Sequence, residues 1–283
     1  MHGIRQLFDK DINGLHVNLF EFDIYDEYAL RELRGYLISK IRTSRVHDKD
    51  QYDLTYYCSK NLKPEFIEKL KDKIFEVNIP KKTKIPQFDV RRERVTEWMA
   101  QYFLEQIYGC RFYDETDKRL NIRTLEIDKH TEGIDVTGIK IDGKEIRFVV
   151  CEVKASESAI PSPSASSLQE DIQKSINNTD NRLSREILQY MDSIRNSNIE
   201  SDEFQKIIDF LVRIIANENG LSNIIFFPFL LRNNGEIVKH LDLRDYNSFS
   251  LEGVKKENVE SIIMSFEESF DSFSNEIYSN ALG

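Results

Sequence analysis

Apolar positions recur along this chain with two different periods, and the switches between them mark its elements. Recurrence at every second residue suits a strand with one buried face, while recurrence every three or four residues suits a helix. Residues 134–141 and 144–154 are apolar-rich, with Val, Ile and Phe prominent, and Asp142-Gly143 separates them. Asp-Gly between such runs is the strongest short hairpin signal, because both central residues of the tight turn need φ > 0. A turn centred there sets Ile141 opposite Lys144 and Asp135 opposite Val150. Period two then places Val150, Glu152 and Lys154 on the face that carries Asp135. Asp135 and Glu152 become diagonal cross-strand neighbours within reach of a common ion.

The remaining pattern is read in the same way. Residues 17–24 read as a strand and 28–41 as a helix whose apolar face is Tyr28, Leu30, Leu33, Leu37 and Ile41. Residues 64–75 read as a second helix opened by Pro64, and 79–87, with Pro80 and Pro86 among lysines, as a linker. A helix over 91–108 has a broad apolar face from Val95 to Ile107, with Gly109 placed to stop it. Short strands are expected over 111–113 and 123–127, a flexible Ser/Ala/Pro-rich connection over 155–167, and helices over 168–176, 183–194 and 204–216. Residues 222–231 and 259–266 read as strands, 237–241 as a short hairpin partner, and 267–281 as an acidic helix with Phe266, Phe270, Phe273 and Ile277 on one side. The expected fold class is α/β, a mixed sheet flanked by helices over 81–283, preceded by an α+β extension over 1–80 that is a candidate partner-binding unit.

Composition narrows the classes. A hydrophobic content of 40% with 11% aromatics is that of a folded globular chain. Three scattered cysteines (Cys58, Cys110 and Cys151) show no metal-ligand spacing and suit reduced thiols, which argues against a structural zinc site. The longest apolar run, 224–231, is too short to span a bilayer, and the first residues lack the apolar core of a signal peptide, so the expectation is a soluble, cytoplasmic protein with no membrane partner. The net charge of −10, from 39 basic and 49 acidic residues, counts against a broad, constitutive nucleic-acid binder. Basic residues do cluster before the 91–108 helix and at its start: Lys81, Lys82, Lys84, then Arg91, Arg92 and Arg94. They suit either a phosphate-contacting entrance or a solvated linker.

Charges at the end of a buried strand are costly unless paired or bound to metal, so Glu152 and Lys154 are either a structural ion pair or a site. Gly133-Ile134-Asp135 followed, after a hairpin, by Cys151-Glu152-Val153-Lys154 resembles the PD-(D/E)XK nuclease superfamily, whose core motif is a strand-borne Asp and then Glu/Asp-x-Lys on the next strand. The superfamily's acidic residue on the preceding helix is matched by Glu97, while the Pro that often precedes the Asp is absent. Within the superfamily the layout is similar to the nuclease subunit of the Hachiman anti-phage defence system, with Phe227-Pro228-Phe229 downstream.

The resemblance implies a restriction-endonuclease-like core and Mg2+ (or Mn2+) held by Asp135, Glu152 and the Val153 carbonyl. Lys154 would orient the attacking water or steady charge on the phosphate. Glu97 would support a second ion or a ligand water, or else simply pair with a neighbour such as Arg94. The implied substrate is DNA, and the implied partner is a helicase encoded alongside. Lys174, Arg91 and Arg92 are candidate phosphate contacts, each with an ordinary surface role as the alternative, and His130 and Glu132 flank the first core strand. Two other classes stay open: a stand-alone restriction- or repair-type endonuclease using the same residues, and a catalytically inactive nuclease-fold binding module, against which the intact Asp135, Glu152 and Lys154 set argues.

Overall fold

The computed structural model describes residues 2–51, 63–66, 69, 85–113, 133–143, 145–158, 164–195, 199–216, 220–248 and 251–282. Within them the strands are β1 (Ile4–Ile12), β2 (Leu15–Phe22), β3 (Cys110–Arg111), β4 (Val136–Asp142), β5 (Glu145–Ser156), β6 (Ile224–Arg232) and β7 (Glu260–Phe266). The longer helices are α1 (Glu27–Gln51), α2 (Ile85–Tyr108), α3 (Ser164–Ile176), α4 (Arg182–Ile194), α5 (Ser201–Ile215) and α6 (Phe270–Leu282). The fold is α/β. One seven-stranded sheet in the order β1-β2-β7-β6-β5-β4-β3 carries helices on both faces. Strands β2, β7, β6 and β5 run parallel, and antiparallel hairpins finish both edges. The two N-terminal strands are hydrogen-bonded into this same sheet, through β2 against β7.

Alternation along each strand divides the core in two. Val149, Cys151 and Val153 of β5 and Phe227 and Phe229 of β6 face a layer built from α1, α2 and α6. Phe148 and Val150 of β5 and Ile224, Phe226 and Leu230 of β6 face α3, α4 and α5. Strand β6 is buried at all nine positions, as a strand covered on both faces must be. Its Pro228 lies level with Glu152 of β5, an interior position where proline removes a ladder donor.

Three expectations are corrected. The β4–β5 turn falls one residue later than the Asp-Gly signal implied: Asp142 pairs with Glu145, and Gly143, at φ 60°, is the first loop residue. The whole register moves by two, so Val150 faces Thr137 and not Asp135. A shift of two leaves every side chain on its original face, whereas a shift of one would have inverted them. Residues 237–241 do not form a hairpin partner: Asn234 caps the N–H groups of Glu236 and Ile237, and a run of short helical turns follows to Asp245. Helix α2 begins at Ile85, taking in the end of the expected 79–87 linker, with Pro86 in its first turn where no hydrogen bond is lost. The expected 123–127 strand, most of the 64–75 helix, His130, Glu132 and Lys81–Lys84 lie outside the described residues.

The segment leaving β5 is anchored by a buried arginine. Arg232, at the end of β6, donates to the carbonyls of Ser156 (3.0 Å) and Ser158 (2.6 Å). Its charge is met by Asp242 at 2.6 Å, which is also buried.

Candidate active site

Strand β4 starts one residue after Asp135, while β5 continues to Ser156 against β6. The register of β4 against β5, extended by one pair, sets Asp135 level with Glu152. Beyond the end of β4 the Val153 N–H has no strand partner on that side among the described residues, and the Asp135 carboxylate accepts from it at 2.7 Å. Asp135 is fixed from the α4 side as well. The Ile134 N–H donates to Glu186 Oε1 at 3.3 Å, and the Gly133 carbonyl accepts from Arg182. Arg182 and Glu186 are one helical turn apart, so a single helix edge grips the segment that delivers the aspartate.

Glu152 points to the same side of the sheet, with only 1% of its side chain exposed. Arg182 Nη2 lies 2.9 Å from Oε1 and 3.1 Å from Oε2, and Ser175 Oγ of α3 donates to Oε1 at 3.0 Å. Burial pushes the Glu152 carboxyl well above the usual carboxylate range, and the charge of Asp135 adds to that; Arg182 and Ser175 pull it back. Two carboxylates held this close favour either a proton or a cation between them.

Lys154 shares the face of Glu152 and reaches Asp171 of α3 at 2.7 Å. Asp171 also receives Lys174 at 2.9 Å, so one carboxylate holds two ammonium groups. Burial works against the charge on Lys154, but the bond from Asp171 and the charges of Asp135, Asp171 and Glu152 outweigh it, and its pKa stands above the ordinary lysine value. Burial likewise raises Asp171, but the two lysines more than reverse it and leave the carboxyl below its usual range. Lys154 is therefore an ammonium at neutral pH.

Three of the other candidates, Glu97, Arg91 and Arg92, are carried by α2. Helix α2, which carries Glu97, packs on the opposite face of the sheet, and the charge of Glu97, like those of Asp135 and Glu152, raises the buried Cys151 thiol. Arg91 is 8% exposed, lies over the Tyr278 ring at 4.7 Å and reaches Asn275 at 3.5 Å, so it is turned into α6. Arg92 pairs with Asp89 and Asp271. Lys174 does adjoin the site, through Asp171. Four site residues were not singled out in the sequence: Asp171, Ser175, Arg182 and Glu186. A faint signal for three of them exists, since Asp171, Ser175 and Glu186 fall within apolar stripes, Leu168–Ile172–Ile176 and Leu183–Ile187–Tyr190, where a polar residue needs a partner. Arg182, at a helix start, gives none.

No model of a known protein family matches the chain, and no curated protein is significantly similar to it. The donor chemistry is the basis for judging a metal. Among the described residues no group of three or more His, Cys, Asp and Glu side chains is gathered to hold an ion. The available set is two carboxylates and nearby backbone oxygens, hard donors of the kind Mg2+ accepts when water and phosphate complete its shell. A cationic guanidinium already rests on Glu152, so this pocket of negative charge does hold a cation. The residues fit a magnesium or manganese ion on condition that Arg182 yields Glu152.

Proposed function

We propose that this protein is a metal-dependent deoxyribonuclease of the PD-(D/E)XK type. The observation that carries the reading is the placement of Asp135 level with Glu152 at the β4–β5 end, with Lys154 on the same face. The sheet's covered faces and the buried apolar run of β5 are consistent with such a core. A Mg2+ or Mn2+ ion bound by Asp135 and Glu152, with the Val153 carbonyl, would supply an activated water and polarise the scissile phosphate.

The chain's own groups do the rest. Lys154, kept protonated by Asp171, neutralises charge on the phosphoryl oxygens and does not act as a base. Lys174, half exposed beside it, contacts the phosphate backbone. Glu186 and Arg182 hold the segment that carries Asp135, and Ser175 sets the rotamer of Glu152.

With a net charge of −10 the chain is poorly suited to capture DNA unaided, and its likeness to the Hachiman nuclease subunit points to a helicase that delivers the substrate in anti-phage defence. The test is a Mg2+-dependent cleavage assay on duplex and single-stranded DNA, with and without the product of a neighbouring helicase gene. Cleavage stimulated by the helicase and lost in Lys154→Ala supports the proposal. Equal cleavage without the helicase supports a stand-alone endonuclease. One observation favours a silent binding module instead, namely the engagement of both Glu152 oxygens by Arg182. That reading predicts no cleavage under any metal condition.

A further inference from the structure

We infer that Arg182 is a resident counter-ion that must leave Glu152 before a divalent cation can bind, so that the site is held closed by a residue of its own chain; this rests on the metal-site reading above. The geometry points there in three ways. One nitrogen, Nη2, contacts both oxygens of Glu152 and also the Gly133 carbonyl, two residues before Asp135. That nitrogen therefore binds one carboxylate and the backbone leading to the other, among the oxygens a metal would use. Second, the guanidinium is only 15% exposed, and among the described residues its buried Nε has no hydrogen-bond partner.

Third, the turn that delivers Arg182 is strained. Asn178, Asp180 and Asn181 all lie in the left-handed region, at φ 48°, 53° and 58°. Three such residues within four positions, none of them glycine, persist only because the surroundings over-determine them. The restraint is local: Asn178 donates to Ser184 Oγ at 2.9 Å and accepts from the Ser184 N–H at 3.1 Å, tying the turn to the start of α4. Relaxation of this turn would carry Arg182 off Glu152 without disturbing the sheet. A phosphate arriving at the site would give the displaced guanidinium a new partner, so substrate and metal would open the latch together.

The test measures Mn2+ binding directly, by electron paramagnetic resonance on the full chain at pH 8.5, where protons compete least for a freed Glu152. The variants are Arg182→Gln and, because that change can harm folding, Asn178→Ala, which loosens the turn and leaves the pair intact. If the latched form holds about nine-tenths of the molecules, its loss tightens binding about tenfold. Tighter Mn2+ binding in either folded variant, abolished by adding Asp135→Asn, supports the latch. Binding by the wild type that depends on Asp135, but is unchanged or weaker in both folded variants, overturns the latch and leaves the metal site standing. Absence of Asp135-dependent binding in every form overturns the metal site, and the latch with it.

Discussion

Replacing Arg182 with methionine keeps the side chain's bulk but removes the charge facing Glu152. With the carboxylate 1% exposed and its guanidinium contacts at 2.9 and 3.1 Å, the loss is that of breaking a buried pair, about 3–5 kcal/mol. That figure applies only where Glu152 is ionised. Its folded pKa is already raised, so proton binding favours the fold: the stability it confers is complete below the ordinary carboxylate pKa and is lost as pH rises through the folded value. Without Arg182 the folded pKa climbs further, because the guanidinium is the largest influence holding it down. The gap between wild type and variant is therefore about 1 kcal/mol at pH 4, the worth of a hydrogen bond between neutral groups, and widens with pH. The full loss, once the carboxyl is ionised in both forms, corresponds to about 6–20 °C in melting temperature for a chain of this size. Thermal denaturation followed by circular dichroism across pH 4–9 reads this directly. Adding Glu152→Gln should flatten the pH dependence of the gap. A gap that does not widen between pH 4 and pH 9 would refute the claim that Arg182 compensates a buried charge.

Other outcomes follow from the same geometry. Asp171→Asn frees both lysines and should cost about 1–2 kcal/mol at neutral pH in urea denaturation. The carboxyl's folded pKa is depressed, so the gap to wild type should close as the pH falls through that value. If cleavage is observed, the same variant should move the alkaline limb of its pH profile downward, because Lys154 loses the partner that raises its pKa. Arg232→Met leaves Asp242 buried without its cation and should lower stability by about 3–5 kcal/mol, measured as a melting shift. Gly138→Ala puts a Cβ 2.5 Å from the Phe112 ring and 2.8 Å from the Arg111 carbonyl, so urea denaturation should show a loss of about 1–3 kcal/mol as β3 is pushed off β4.

Much of the fold was legible where one element declares its own period. The apolar faces of 28–41, 91–108 and 183–194 became α1, α2 and α4, and the two core strands formed the β4–β5 hairpin. Their shared face for Asp135, Glu152 and Lys154 survived a wrong turn position because parity, and not exact pairing, decides which side a strand residue occupies. Long-range pairing was not legible. Strand β1, with its mostly exposed IRQLFDKDI pattern, carries little hydrophobic signal and forms because β2 offers it an edge. Nor does any local pattern say that β2 lies beside β7. The site followed the same rule: carboxylates on adjacent strands could be placed from the chain, while Arg182 and Asp171 reach it from helices whose docking depends on the whole sheet.

The most direct measurement of the central claim is an anomalous-difference map from crystals of this protein grown or soaked with Mn2+. The account predicts a peak bounded by the Asp135 and Glu152 carboxylates, with Arg182 withdrawn from Glu152. A map without density there at saturating Mn2+, with the guanidinium still seated on Glu152, would contradict it.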